Sequence, residues 1–145
     1  MRLYSFTCSW LSGLQKGLQT AHMVAEMSRL TQDPLTQGKA QIFRIWAEQH
    51  KTLIILEGGT QSDIEYLHNF LKQSVMPTAI FYEDETSLAG AATACGIIVS
   101  ETFYSMASLV REKGWEDPEV QRFKENASVW ELQLLTILVD HSLAR

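Results

Sequence analysis

The stretch from Leu11 to Leu30 (LSGLQKGLQTAHMVAEMSRL) constrains the fold more than any other. It carries leucine, alanine and methionine at helical spacing and contains no proline. It follows directly on Leu3–Cys8 (LYSFTC), whose alternating aromatic, β-branched and small polar residues read as a strand, with Ser12-Gly13 as the turn between them. On a wheel of 3.6 residues per turn, Leu14, Leu18, Ala21, Ala25 and Ser28 share one side, with Gly17 and Val24 beside them. Gln15, Gln19, His22, Glu26 and Arg29 gather in a separate sector roughly 80° wide. A polar sector ordinarily faces water. It can also form a site, because the start of a helix that follows a strand is a common place for anion binding and chemistry.

The rest of the chain alternates in the same way. Thr31 to Pro34 ends the first helix, since the residue before proline avoids helical dihedrals. Gly38 to His50 reads as a second helix with Ile42, Ile45 and Trp46 on its apolar face. Lys51–Glu57 (KTLIILE) reads as a buried strand and Gly58-Gly59 as a turn. Thr60 caps a third helix, with Asp63 at the capping-box position. Val75–Tyr82 and Ala91–Val99 read as strands, joined by the polar connection Glu83–Gly90. This order predicts a three-layer α/β/α domain around a four-stranded sheet. Beyond Val99, Ser100 caps a helix through Glu112 that Gly114 stops, and Asp117-Pro118 opens another segment. Ser128 caps Val129–Leu143, which is apolar on two sides and is expected both to pack and to hold a homodimer together. The whole is read as one domain with a helical extension over residues 100–145.

Composition narrows the functional classes. No apolar run approaches the roughly 20 residues needed to span a bilayer, and the first residues lack the pattern of a signal peptide, so no membrane association and a cytoplasmic location are expected. The two cysteines, Cys8 and Cys95, lie in predicted strands and read as buried reduced thiols. No CxxC, HxxxH, HExxH or acidic calcium loop is present, so no metal or cofactor is expected. The formal net charge of −5 runs against a strong grip on a nucleic-acid backbone. Lys16, Arg29, Lys39, Arg44 and Lys51 nevertheless concentrate in the first third, and acids gather at Glu83–Glu85 and Glu116–Glu119.

Gln15-Lys16-Gly17-Leu18-Gln19-Thr20-Ala21-His22 resembles the first-helix motif of type II peptidyl-tRNA hydrolases: lysine, three small or apolar residues, glutamine, two small residues, histidine. Gln19, Ala21 and His22 match in type and spacing, Thr20 stands in place of a small residue, and the family's lysine falls on Gln15, with Lys16 one position later. The family's second signature, ahead of its last strand, is similar to Thr86, Leu88, Ala89, Gly90 and Thr93, while its aspartate falls on Tyr82 or Glu83. The resemblance covers about residues 3–99 and implies a compact mixed sheet of four strands between helices.

The resemblance also implies a chemistry, cleavage of the ester between a peptide and a terminal ribose. Histidine titrates near neutrality, so His22 is the candidate base or orienter of water. Lys16 is the candidate for phosphate at the helix start and Thr93 the candidate supporting hydroxyl. The amides of Gln15 and Gln19 are candidates for holding substrate. Glu26, one turn beyond His22, is placed to pair with it. Two readings follow: a divergent hydrolase of peptidyl-tRNA or a related ester, or a non-catalytic relative that binds a nucleotide, tRNA or a protein.

Overall fold

A computed structural model describes all residues from Met1 to Arg145. The chain divides into two compact units, Met1–Val99 with Leu143–Arg145, and Ser100–Ser142. The first unit runs β1 (Arg2–Cys8), α1 (Gly13–Leu30), α2 (Gln37–Ile45), β2 (Leu53–Gly59), α3 (Gln61–Leu71), β3 (Thr78–Tyr82), the single turn α4 (Glu85–Leu88) and β4 (Ala92–Val99). A wider helical turn, Trp46–His50, continues α2.

The four strands form one mixed sheet in the order β2-β1-β4-β3. β1 runs parallel to β2, and β4 runs antiparallel to both β1 and β3. Because side chains alternate along a strand, Leu3, Ser5 and Thr7 face one side of the sheet and Tyr4, Phe6 and Cys8 the other. On the first side Leu3, Ala79, Ala94 and Ile98 make a buried cluster with Met23 and Met27 of α1 and with Trp46. On the second side lie buried Tyr4, Phe6, Cys95 and Ile97, together with the buried face of α3, Ile64, Leu67 and Leu71. The α/β fold with a mixed four-stranded sheet is therefore present.

Gly96 shows why α1 can come so close. A Cβ built there would lie 2.5 Å from Met23 Cε and 2.7 Å from the Tyr4 carbonyl oxygen, so only glycine lets the methionine settle on the strand. Helix starts follow local chemistry. Ser12 caps α1 and Thr60 caps α3, in each case with a reciprocal hydrogen bond from the third helical residue, Gln15 and Asp63.

Three local expectations are corrected. Gly58-Gly59 does not turn the chain but completes β2, with an irregularity in its pairing to β1 at Gly58. The connection after β3 holds a helical turn, α4, nucleated by Asp84, whose carboxylate accepts from Ser87 N–H at 2.7 Å and Thr86 hydroxyl at 2.6 Å. Ser100 precedes its helix without a side-chain cap bond.

The second unit contains α5 (Glu101–Lys113), α6 (Pro118–Asn126) and α7 (Val129–Asp140). Phe103 and Phe123 meet edge to face at 6.0 Å, and the Arg111 guanidinium donates to the Leu138 carbonyl. Ser128 and Glu131 form the capping box that starts α7. Leu134, Leu135 and Leu138 of α7 are buried, and of its large apolar residues Val129 is the strongly exposed one. No helix is long and apolar enough to cross a membrane.

Candidate functional site

The first helix is set the opposite way from the plain reading of its wheel. Leu14 and Leu18 are 77% and 52% exposed, and Ala21 and Ala25 are exposed with them. The face turned to the sheet is Lys16, Gln19, Thr20, Met23 and Met27. Its second half is apolar and meets the cluster described above. Its first half is polar and meets a polar end of the sheet.

That polar end is built from three strands. On β1, the Ser5 hydroxyl is hydrogen bonded to that of Thr20 at 2.8 Å. On β2, Glu57 pairs with Thr7 in register and faces α1, where its Oε1 accepts from Lys16 Nζ at 2.6 Å and from Arg145 N–H at 3.1 Å. On β4, Phe81 pairs with Ala94 and Tyr82 with Ala92, which leaves Thr93 as the extra residue of a β-bulge. A bulge re-aims a side chain. The Thr93 hydroxyl donates to Gln19 Oε1 at 2.6 Å, and Gln19 Nε2 donates to Glu83 Oε2 at 3.0 Å. The result is a chain of contacts, Thr93 to Gln19 to Glu83, beside the pair Lys16–Glu57.

Burial fixes what these groups can do. Lys16 is 4% exposed and Thr93 is fully covered. Lys16 also donates to the Arg145 carbonyl at 3.4 Å. Burial pushes the Glu57 carboxyl up, but the Lys16 ammonium, the Arg145 amide and the Ser9 hydroxyl outweigh it and hold the carboxyl below its ordinary value. Its second oxygen, Oε2, is buried without a hydrogen bond.

The five residues proposed from sequence therefore separate. Lys16, Gln19 and Thr93 are drawn into one buried polar row. Gln15 is exposed and its amide oxygen accepts from Ser12 N–H at 2.9 Å, so it serves the helix start. His22 is exposed and stacks on Phe81, with ring centroids 4.7 Å apart and planes 15° from parallel. The expected His22–Glu26 pair does not form. Glu26 instead pairs with Arg29, three residues on, which holds its carboxyl below the ordinary value. Glu57 is the member that sequence reasoning missed. Glu57 carried a signal, a carboxylate closing an otherwise apolar strand. Glu83 was reached only through the resemblance, as one of the two positions on which the family's aspartate falls.

The cysteines follow expectation: Cys8 and Cys95 are buried and unpaired, and burial raises both thiols. Cys8 Sγ donates to the Ala92 carbonyl at 3.3 Å. No group of three or more His, Cys, Asp or Glu side chains is arranged to hold a metal ion. No protein-family model and no curated protein matches the chain.

Proposed function

We propose that this chain is a non-catalytic relative of the type II peptidyl-tRNA hydrolases that works as a protein-binding module. One observation carries the reading. Lys16, Gln19 and Thr93 are buried, and neighbouring side chains already engage their polar atoms. A group that neutralises a phosphate or positions a water must be reachable and must have a bond to give. Lys16 gives its charge to Glu57. Both ends of the Gln19 amide are occupied. The row also holds two carboxylates, Glu57 and Glu83, a poor setting for an RNA backbone.

The partner surface in this reading is the outward face of α1. Leu14, Leu18, Ala21 and Ala25 are spaced four, three and four apart, the spacing of a helix-packing seam. Large residues occupy its first half and small ones its second. A second copy laid antiparallel across it sets Leu14 against Ala25 and Leu18 against Ala21, so each bulge meets a hollow. The homodimer expected from α7 moves to α1 in this reading, because the apolar core residues of α7 are already covered.

A second reading keeps one supporting observation. His22 has no hydrogen bond on either ring nitrogen and stands one turn after Gln19, as a base for ester hydrolysis would. Purified chain and a His22→Ala variant, each mixed with a model peptidyl-tRNA, separate the two. Neither is expected to cleave it. Cleavage by the parent that disappears in the variant would establish the hydrolase instead. Light scattering tests the seam: a dimer is expected for the parent and a monomer for Leu18→Glu.

A further inference from the structure

A second polar site lies at the other end of α1, around a cavity of about 260 Å³. The end of α1, the start of α2, the end of α3 and the start of β3 border it, open on one side, and Lys39, Lys72, His68, Thr78 and Asp33 stand in its wall. We propose that this cavity binds the phosphate group of a small molecule, held between Lys39 and Lys72.

The argument starts from charge. The chain is acidic overall, and Lys16, Arg29 and Arg44 are each tied to a carboxylate. Lys39 and Lys72 have no ion pair, yet they line one small cavity. Asp33 adds a single negative charge to the wall, and its Oδ1 is engaged by Leu35 N–H at 2.9 Å. The cavity wall therefore keeps an excess of positive charge.

The neutral groups agree with that sign. His68 and Thr78 belong to the same wall, and His68 Nδ1 is buried with no hydrogen-bond partner. An unmade bond at a buried polar atom is costly unless a ligand or water supplies it. A phosphate oxygen accepts from both an imidazole N–H and a hydroxyl, and from lysine ammonium groups. Burial, with Lys72 adding to it, holds the imidazole below its ordinary value, so the ring meets the anion as a neutral donor.

Helix ends ordinarily oppose an anion where carbonyls point at it. Here the final carbonyls are already used. Thr31 N–H donates to Met27 O, Asp33 N–H and the Thr36 hydroxyl to Leu30 O, Lys72 N–H to His68 O, and Ser74 N–H to Leu71 O. The volume sets ligand size: it is below the usual range for drug-sized ligands and suits a phosphate with a small organic group.

The test is an NMR titration of the full chain at pH 7 with inorganic phosphate, ribose 5-phosphate and ribose. Phosphate and ribose 5-phosphate are expected to move the His68 ring and Thr78 amide signals, and ribose to leave them still. Lys39→Ala and Lys72→Ala should each weaken binding by about tenfold, the loss of one charge-assisted bond. Lys51→Ala, outside the cavity, should leave it unchanged. Tighter binding of ribose 5-phosphate than of phosphate would identify an esterified ligand, and equal binding a free anion. No movement at His68 and Thr78 with either phosphate compound, or equal weakening by Lys51→Ala, would overturn the site.

Discussion

The two halves of α1 meet the same face of the same sheet by different physics. The half around Met23 and Met27 rests on Leu3, Ala94 and Ile98, and is held by exclusion of water and close packing. The half around Lys16, Gln19 and Thr20 rests on Glu57, Thr93 and Ser5, and is held by hydrogen bonds and one ion pair. An apolar interface tolerates rearrangement of shape but not loss of volume. A buried polar interface tolerates neither the loss of one partner nor the arrival of a competitor, because each unpaired group keeps its desolvation cost. The difference explains why Lys16, Gln19 and Thr93 can lie buried on this face, each with its polar atoms engaged.

Met23→Ala should have the largest effect, a destabilisation of about 2–5 kcal/mol, since its side chain is fully covered and Gly96 leaves a hollow beneath it. Chemical denaturation measures it, and the loss should be the same at pH 5 and pH 8. Glu57→Ala strands a buried ammonium and should cost about 3 kcal/mol, near the lower end of the range for a broken buried pair because Glu57 retains some access to water.

The ionic half should also respond to acid. The Glu57 carboxyl sits below its ordinary value in the folded chain. Its contribution is therefore present above the unfolded carboxyl value of about 4.3 and is lost as pH falls through the folded value. The stability gap between the parent and Lys16→Met should accordingly narrow on acidification below about pH 4. A gap that stays constant would show that Lys16 contributes through packing alone.

Thr93→Val removes the donor to Gln19 and should cost about 1–2 kcal/mol. His22→Ala is the smallest change, within about 0.5 kcal/mol, because the ring is exposed and only stacks on Phe81. A larger loss would mean that the stack, rather than the buried row, anchors this end of the helix.

The sheet was legible because its strands are short, β-branched and separated by helical periodicity. The caps at Thr60 and Ser128 were legible because capping is a local bond, whereas Ser12, which also caps its helix, read only as a turn residue. The orientation of α1 was not. Its wheel has one clearly apolar side, Leu14 to Ala25, and ordinary reasoning turns that side inward. The sheet beneath the first turns carries Ser5, Thr7 and Glu57, which no property of the helix itself reveals. Thr93 needed a bulge to reach Gln19, and a bulge is a matter of register between β3 and β4. Lys16 and Gln19 were found, but their partners Glu57 and Glu83 lie 41 and 64 residues away.

The measurement that bears most directly on the account is a double-mutant cycle on Lys16 and Glu57, read by chemical denaturation at pH 7. If the pair is structural, Glu57→Leu alone should be more destabilising than Lys16→Met with Glu57→Leu together, since the double variant removes the stranded charge. Single effects that simply add, within about 0.5 kcal/mol, would contradict it and return Lys16 to the groups free for a ligand.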